Sequence, residues 1–158
     1  MTNDRFTEKD HAMMRLALEE ANKAIMHNDV PVGAVLVDNH SGEILASSHN
    51  TREQDGCALG HAEISTIGEA CRKLNTWRLS NCTLYVNLEP CPMCAGAIMA
   101  ARIPRIVFAA KDAVAGAMGS VWSIHNHPNQ SSNAQVSCGL FEEESKQMLR
   151  DFFRNRRN

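Results

Sequence analysis

Strand-like and helix-like segments alternate along this chain, and the alternation restricts the fold more than any other feature of the sequence. Helical periodicity begins at a capping box that starts at Thr7 and continues to about His27. Strands interleaved with helices predict an α/β fold with three αβα layers, in which helices cover both faces of one mixed central sheet. The other helical segments are 64–71, 92–101 and 142–157, and the strand-like segments are 32–37, 43–48, 83–88 and 103–110.

The length and composition fit one compact domain that spans residues 1–158. A chain of 158 residues, with 44% apolar and 22% charged residues, is large enough to bury a substantial core. The first residues lack a basic region followed by an apolar stretch, and no apolar run approaches membrane-spanning length. We therefore expect a cytoplasmic protein that does not enter membranes. We interpret the six cysteines as thiols, two of which are metal ligands.

Two short segments carry residues suited to metal chemistry. The first is the tripeptide His-Ala-Glu that begins at His61, and the second is the pentapeptide Pro-Cys-Pro-Met-Cys that ends at Cys94. Cysteines three positions apart share one helix face, and the free amides of a helix N-terminus favour thiolates, so Cys91 and Cys94 can bind one ion together with His61. Three such ligands leave zinc an open position for water, as in catalytic sites. Glu63 then acts as the general acid and base.

Each segment alone also fits a simpler explanation. A His-x-Glu at a helix start is commonly chance or capping, and a Cys-x-x-Cys also fits a redox pair or half of a structural zinc site. The proline after Cys91 and the upstream His-x-Glu disfavour the redox interpretation. Together the segments match the H-x-E and P-C-x-x-C signature of zinc-dependent nucleobase deaminases. The combination predicts a deaminase with catalytic Glu63 and the metal ligands His61, Cys91 and Cys94.

Two regions bear on whether the substrate is a nucleic acid. The formal net charge of −2 gives no general case for nucleic-acid binding, so any such surface must be local. Residues 111–133 form a weakly periodic stretch that is too long for a bare connection, and such stretches are usually functional. His125 and His127 within it fit RNA stacking and ordinary loop positions equally well. Four arginines near the C-terminus fit either phosphate contacts or a solvated tail: Arg150, Arg154, Arg156 and Arg157.

Nearly the whole chain resembles the family of bacterial tRNA-specific adenosine deaminases, within the cytidine and deoxycytidylate deaminase superfamily. The similar stretches are residues 30–35, 84–97, 111–113 with Gly116, and 151–154. The first two are shared with relatives that act on free bases, whereas the last two are more particular to the tRNA enzymes. The resemblance implies a cytidine-deaminase-like fold with one Zn²⁺ per subunit. It also implies a homodimer that converts adenosine to inosine at the wobble position (34), in the anticodon arm of tRNA.

We predict substrate contacts at eight positions, and the resemblance assigns four of them, namely Asn50, Val32, Leu88 and Asp112. Asn50 would contact the purine, although it also fits the end of a strand. Asp112 would lie beside the flipped nucleotide, although it also fits the cap of a turn. On residue type alone, the apolar residues would be assigned to the core and the arginines to solvent. The other four positions, at the pocket or along the last helix, are Ala62, Phe153, Arg154 and Arg156.

Two departures from the family pattern concern substrate recognition. Residues 57–60 are Cys-Ala-Leu-Gly where the family has Asp-Pro-Thr-Ala, and residues 131–133 are Ser-Ser-Asn where it has Asn-His-Arg. Neither segment contains a predicted metal ligand. Cys57 fits an oxidisable neighbour of the site or, more simply, a plain loop thiol.

Three functions are compatible with these residues. They are wobble-adenosine deamination in tRNA, deamination of a free base, nucleoside or nucleotide of guanine or cytosine type, and zinc-stabilised binding without turnover. Glu63 argues against the third, because a structural zinc site has no use for an uncoordinated carboxylate beside an open metal position. The long stretch at 111–133 and the arginine-rich last helix favour a macromolecular substrate. We therefore expect a zinc-dependent hydrolase that acts on tRNA.

Overall fold

A computed structural model describes residues 5–130 and 133–156 of the chain. Within these ranges the chain forms five α-helices, five strands and one short 3₁₀-helix. The helices are α1 (Glu8–Ile25), α2 (Arg52–Asp55), α3 (Ala62–Leu74), α4 (Pro92–Ala100) and α5 (Glu142–Arg156), and the 3₁₀-helix is Ile124–Asn126. The strands are β1 (Gly33–Asp38), β2 (Ile44–His49), β3 (Cys82–Leu88), β4 (Arg105–Ala110) and β5 (Gln135–Cys138).

The five strands form one mixed sheet in the order β2-β1-β3-β4-β5. Strand β1 pairs antiparallel with β2 and β3, whereas β3, β4 and β5 run parallel. The predicted mixed sheet is confirmed, with one addition, because β5 is not predicted from the sequence. Its four residues pair with β4 at the edge of the sheet and are at most partly buried, so they lack the apolar alternation that predicts a strand.

Alternate residues of the central strands point to opposite faces of the sheet. On one face, Leu36 and Leu84 pack with Ile67 of α3 and Ile98 of α4. The opposite face packs against α1, in a second cluster that contains Met13, Met14, Ala17, Val35, Tyr85 and Val107. Helices therefore cover both faces, which confirms the predicted three-layer αβα architecture.

Helix α1 begins where the sequence predicts and ends slightly earlier. The backbone N–H of Asp10 donates to the hydroxyl of Thr7, and the N–H of Thr7 donates to the carboxylate of Asp10, which completes the predicted capping box. The helix ends at Ile25 rather than near His27, because the chain turns there and Asn28 adopts a left-handed backbone with φ of 67°.

Two further comparisons concern the stretch before α3 and the C-terminal helix. The polar stretch 50–60 was expected to be a loop, but it contains the one-turn helix α2. The last helix was expected to reach Arg157. It is described to Arg156, and residue 157 lies outside the described residues.

Helix α5 is joined to the sheet by a buried hydrogen-bond network around Asn87. The side-chain amide of Asn87 accepts the N–H of Gly33 at 2.8 Å and donates to the carbonyl of Pro31 at 3.0 Å. The hydroxyl of Ser145 in α5 donates to the carbonyl oxygen of Asn87 at 2.6 Å. Gly33 is required for close packing, because a Cβ there would lie 2.2 Å from the carbonyl oxygen of Ala17 in α1. The network thus connects α5 to β3 and to the segment before β1.

The cysteines and the helices can be compared with the expectations of free thiols and of a protein that does not enter membranes. All six cysteines are free thiols, as expected. Among the described residues, no helix combines the length and apolar character needed to cross a bilayer.

Candidate active site

The three predicted metal ligands, His61, Cys91 and Cys94, lie together at the starts of α3 and α4. Nδ1 of His61 is 3.6 Å from Sγ of Cys91 and 3.5 Å from Sγ of Cys94, and all three ligand atoms lie within 4.8 Å of one another. Cys94 is buried, and the other two residues are partly buried. Within the described ranges, no other set of His, Cys, Asp and Glu side chains has this geometry. We call these residues the His-Cys-Cys group.

Both segments reach this point because each begins a helix with an extended residue. His61 (φ −91°, ψ 145°) and Cys91 (φ −74°, ψ 173°) are the N-caps of α3 and α4, and neither side chain caps its own helix. Asn50 performs this function for α3, because its Oδ1 accepts the N–H of Ala62 at 3.0 Å. Its Nδ2 donates to the carbonyl of Val30, also at 3.0 Å. Asn50 therefore fixes the start of the helix that carries His61 and leaves the imidazole available for the group.

Hydrogen bonds within the His-Cys-Cys group shift the pKa of each of its three side chains. A hydrogen bond from the thiol of Cys94 lowers the pKa of Cys91 to about 4, although burial opposes this shift. The same hydrogen bond, together with burial, raises the pKa of Cys94. The hydrogen bond with Cys91 raises the pKa of His61. A thiolate is therefore stable at Cys91, next to the free backbone amides at the N-terminus of α4.

Glu63 is buried two residues beyond His61, and its carboxylate lies beside the thiol of Cys94. Only 3% of its surface is exposed, and its Oε1 has no hydrogen-bond partner among the described residues. Burial raises the pKa of this carboxyl. Buried polar atoms are nearly always paired, so an unpaired carboxylate oxygen at a site indicates a partner that the protein itself does not supply.

The donor set fits a zinc ion. One imidazole nitrogen and two cysteine sulfurs are ligands that zinc prefers, and three protein ligands leave a tetrahedral ion one further position. The unpaired Oε1 of Glu63 supplies a proton acceptor that such a site requires and that a closed structural site would not need. The group could therefore hold a metal ion of the catalytic type.

A pocket of about 200 Å³ contains His61, Glu63 and Cys91 in its wall. Its volume lies below the roughly 300–1,000 Å³ of sites for larger ligands, which suits a single planar base. Four predicted substrate contacts also line it, namely Val32, Asn50, Leu88 and Asp112.

Ala62 differs from the other predicted pocket residues. Its side chain is completely buried in the core, it is absent from the pocket wall, and its N–H is bonded to Asn50. The pocket geometry therefore does not place the side chain of Ala62 where it could contact a substrate.

Asn50 and Asp112 each have the structural role that the sequence allowed and also line the pocket. Asn50 follows the last residue of β2 and lines the pocket. Asp112 also lines the pocket, and its Oδ1 accepts the N–H groups of Val114 and Ala115 at 2.9 and 3.1 Å, which caps a turn. A structural role therefore does not exclude either residue from substrate binding.

Five further lining residues were missed by sequence reasoning: Asp29, Val30, Arg52, Glu89 and Ala115. Asp29 is buried, and its carboxylate accepts the N–H groups of Glu53 and Gln54 at 2.7 and 3.2 Å, which holds α2 beside the pocket. Contacts between residues so far apart in the chain leave no spacing pattern that could have revealed them.

The last helix places its predicted contact residues differently. Phe153 is 43% exposed. Arg154 is exposed next to Asp151, with a closest distance of 3.4 Å between their charged atoms. Nη2 of Arg156 lies 4.0 Å from Oε1 of Glu53 in α2, the helix whose first residue lines the pocket. Helix α5 therefore contacts α2 through Arg156.

The sequence left the roles of Cys57, His125 and His127 open, and the structure places these residues in short turns or next to them. The N–H of Cys57 donates to the carbonyl of Arg52 at 3.1 Å, and the Cys57 residue is exposed. His125 is partly buried, and burial lowers its pKa. Nδ1 of His127 accepts the N–H of Asn129 at 3.1 Å. Of the altered segment at 131–133, Ser131 and Ser132 lie outside the described residues.

The chain is similar over most of its length to known deaminases. The model of the MafB19-like deaminase family matches residues 8–157. The tRNA-specific adenosine deaminase of Bacillus subtilis (strain 168) is 46% identical over 149 residues, which cover 94% of this chain and 91% of the relative. The chain belongs to the tRNA-specific adenosine deaminase family. This membership confirms the resemblance seen in the sequence and the assignment as a hydrolytic deaminase.

Solved structures place this member of the tRNA-specific adenosine deaminase family in the same fold. A structure from work on A-to-I editing by tRNA:A34 deaminases at the wobble position of transfer RNA has a TM-score of 0.83 and 41% identity. The match covers 87% of this chain and 99% of that chain. A guanine deaminase from Nitrosomonas europaea has a TM-score of 0.77 but only 25% identity, covering 95% of this chain and 88% of that chain. The predicted cytidine-deaminase-like fold is confirmed, and the higher identity favours the tRNA enzymes.

Proposed function

We propose that the protein hydrolytically deaminates adenosine to inosine at the wobble position of tRNA. The observation that carries the chemistry is the unpaired, buried Oε1 of Glu63 beside the His-Cys-Cys group, at a pocket sized for one base. The substrate follows from the relatives, since the Bacillus subtilis protein is named a tRNA-specific adenosine deaminase.

We assign the binding of one Zn²⁺ per subunit to His61, Cys91 and Cys94. Their donor atoms already lie within 4.8 Å of one another, so little rearrangement is needed for them to share an ion. When bound, zinc supplies Lewis-acid activation of water near neutral pH.

Glu63 is the proposed proton carrier. Deamination replaces the amino group of adenosine with the oxygen of water and releases ammonia. A proton must therefore leave the water, and protons must reach the purine ring and the departing amino group. Oε1 of Glu63 accepts the first proton and delivers it to the purine, since no described group competes for this oxygen. The burial of Glu63 limits proton exchange with bulk water during the reaction.

Pocket residues orient the base in this proposal. An Asn side chain has two N–H groups and two acceptor lone pairs, and Asn50 uses one of each on Val30 and Ala62. Asn50 therefore retains one donor and one acceptor for the purine edge. Val32 and Leu88 supply apolar walls, and Asp112 lies beside the bound nucleotide.

The proposed partner is the anticodon arm of tRNA. Phe153 and Arg154 are exposed on α5, and Arg156 lies next to Glu53 of α2, the helix whose first residue lines the pocket, so an RNA backbone that passes near the pocket would meet cationic groups. A homodimer in the cytoplasm and a single domain over residues 1–158 belong to the same proposal.

A substrate panel separates this function from deamination of a free base. The zinc-loaded protein is incubated with an anticodon stem-loop that carries adenosine at the wobble position, and with a second stem-loop that carries adenosine only at a neighbouring loop position. Inosine should form in the first RNA alone. Inosine in both RNAs would contradict wobble specificity, and deamination of guanine without RNA turnover would favour the free-base function.

A further inference from the structure

Glu89 also lines the pocket but differs from Glu63, because both of its carboxylate oxygens accept hydrogen bonds from the protein. The residue is 2% exposed. Oε1 accepts the N–H of Asp112 at 3.1 Å and the hydroxyl of Ser120, and Oε2 accepts the N–H groups of Met118 and Ser120 at 2.9 and 3.1 Å. Four hydrogen bonds from one short segment thus converge on a single buried carboxylate.

This segment, residues 112–122, is called the clamp loop below. It folds around Glu89 so closely that a Cβ on Gly116 would lie 2.5 Å from the carboxylate carbon of Glu89 and 2.4 Å from the carbonyl oxygen of Asp112. The loop is also tied to the metal-binding segment, since the N–H of Ala117 donates to the carbonyl of Pro90 at 2.9 Å. Glu89 and Gly116 therefore determine together where the clamp loop lies.

The clamp loop forms part of the pocket rim. Asp112 and Ala115 line the pocket, and Val114 between them is 84% exposed. If one base fills a pocket of about 200 Å³, the ribose and the neighbouring nucleotides must extend past this rim. A free base has no such groups, so the position of the loop matters more for RNA than for a free base.

We propose that Glu89 is a positioning residue that holds the clamp loop against the part of an RNA substrate outside the base pocket. This inference rests on the proposed function and adds a determinant of substrate class to it. Glu89 itself does not move protons, because both of its oxygens already accept two hydrogen bonds each. Its effect reaches the substrate through Asp112 and Ala115.

Two loop-side variants test the clamp without changing a residue near the metal ligands, and a third variant changes Glu89 itself. Ser120→Ala removes the hydroxyl donor, and Gly116→Ala forces a methyl group against the carboxylate of Glu89. Glu89→Gln is isosteric but places an amide NH₂ against N–H donors. The matched controls are Gly96→Ala in α4, where a Cβ would meet nothing within 4 Å, and Glu69→Gln on the exposed face of α3.

The measurements are zinc content, maximal rate and half-saturating concentration, for an anticodon stem-loop and for free adenosine. Loss of one hydrogen bond to a charged group should raise the half-saturating concentration of the stem-loop by about tenfold or more. Zinc content and the maximal rate should stay near wild type, and the controls should change neither parameter. Amide hydrogen exchange at Met118 and Ser120 should accelerate in the loop variants.

The outcomes separate the clamp from the proposed function. Wild-type protein that does not deaminate the stem-loop contradicts the proposed function. Wild-type turnover of the stem-loop, with an unchanged half-saturating concentration in the loop variants, overturns the clamp alone. An equal rise for free adenosine would also overturn it, since the loop would then act on the base pocket. Should Gly116→Ala fail to fold, Ser120→Ala decides the question.

Discussion

Glu63 and Glu89 are both buried carboxylates in the wall of one pocket, yet only Glu63 has an oxygen without a partner. Glu89 accepts four hydrogen bonds from residues 112–120, which leaves it no capacity to exchange protons with a substrate. The fold thus gives two neighbouring carboxylates different tasks through their hydrogen bonds. One is available for chemistry, and the other holds a loop.

Removing a metal ligand should abolish metal binding and activity together. In His61→Ala, Cys91→Ala or Cys94→Ala, two remaining ligands hold the ion poorly, so purified protein should contain little zinc and show no turnover. The control is Cys57→Ala, which removes an exposed thiol outside the group and should leave the zinc content near one per chain. Near-full zinc in any ligand variant would remove that residue from the assignment.

Glu63→Gln should separate metal binding from catalysis. The amide is nearly the same size as the carboxyl but cannot relay protons, so the rate should fall by at least about 10²–10⁴-fold while zinc content and fold are retained. The measurement is the single-turnover rate beside metal analysis. A variant that kept most of its rate would show that another group moves the protons.

The ion pair between Asp10 and Arg105, remote from the pocket, should make the free energy of unfolding depend on pH in the acidic range. Arg105 donates to both oxygens of Asp10 at 2.8 and 2.9 Å, and the hydroxyl of Tyr85 donates to Asp10 at 2.7 Å. Burial alone would raise the pKa of Asp10, but the hydrogen bonds from Arg105, Tyr85 and Thr7 outweigh it and hold the pKa well below its ordinary value of 3.8. The carboxylate therefore stabilises the fold above about pH 4, and this stabilisation is lost progressively as the pH falls further.

Asp10→Asn should lower the free energy of unfolding at pH 7 by about 3 kcal/mol, because it leaves Arg105 without its partner. The difference between wild type and variant should narrow as the pH falls below about 4, because Asp10 of the unfolded wild-type chain then binds a proton that the native carboxylate, with its lowered pKa, still resists. Urea unfolding across a pH series measures both quantities. A difference that stays constant down to strongly acidic pH would contradict the depressed pKa.

The features that could be predicted from the sequence are those that depend on the spacing between residues close together in the chain. The interval between Cys91 and Cys94, the capping box at Thr7 and the alternation in β1 and β3 each depend on neighbours within a few residues. The His-Cys-Cys group could be predicted for this reason, once its two segments were combined. Strand β5 has no such pattern, because an edge strand of four partly exposed residues needs no apolar alternation.

The features missed depend on contacts between residues far apart in the chain. Asn50 caps a helix that begins twelve residues later, Asp29 holds the first amides of α2, and Glu89 binds a loop more than twenty residues away. Single polar residues in loops have many possible partners, and the sequence does not indicate which partner is chosen. Glu89 in particular carries no signal of its own beyond its position before Pro90.

The arginines of α5 should contribute to RNA binding through their charge. Each phosphate contact in single-stranded RNA adds about 0.7 to the slope of log K against log salt, so Arg154→Ala with Arg156→Ala should reduce the slope by up to about 1.4. Zinc content should not change. The control pair is Arg15→Ala with Arg72→Ala, on α1 and near the end of α3. Equal slopes in wild type and the α5 variant would exclude these phosphate contacts.

If the pocket acts on adenosine within RNA, kcat/KM for matched substrates should show it. The zinc-loaded protein is assayed with an anticodon stem-loop that carries adenosine at the wobble position, and with guanine, cytosine and free adenosine. We expect inosine to form in the stem-loop with a kcat/KM far above that of every free compound. Rapid deamination of guanine or cytosine, with no inosine in the RNA, would contradict it.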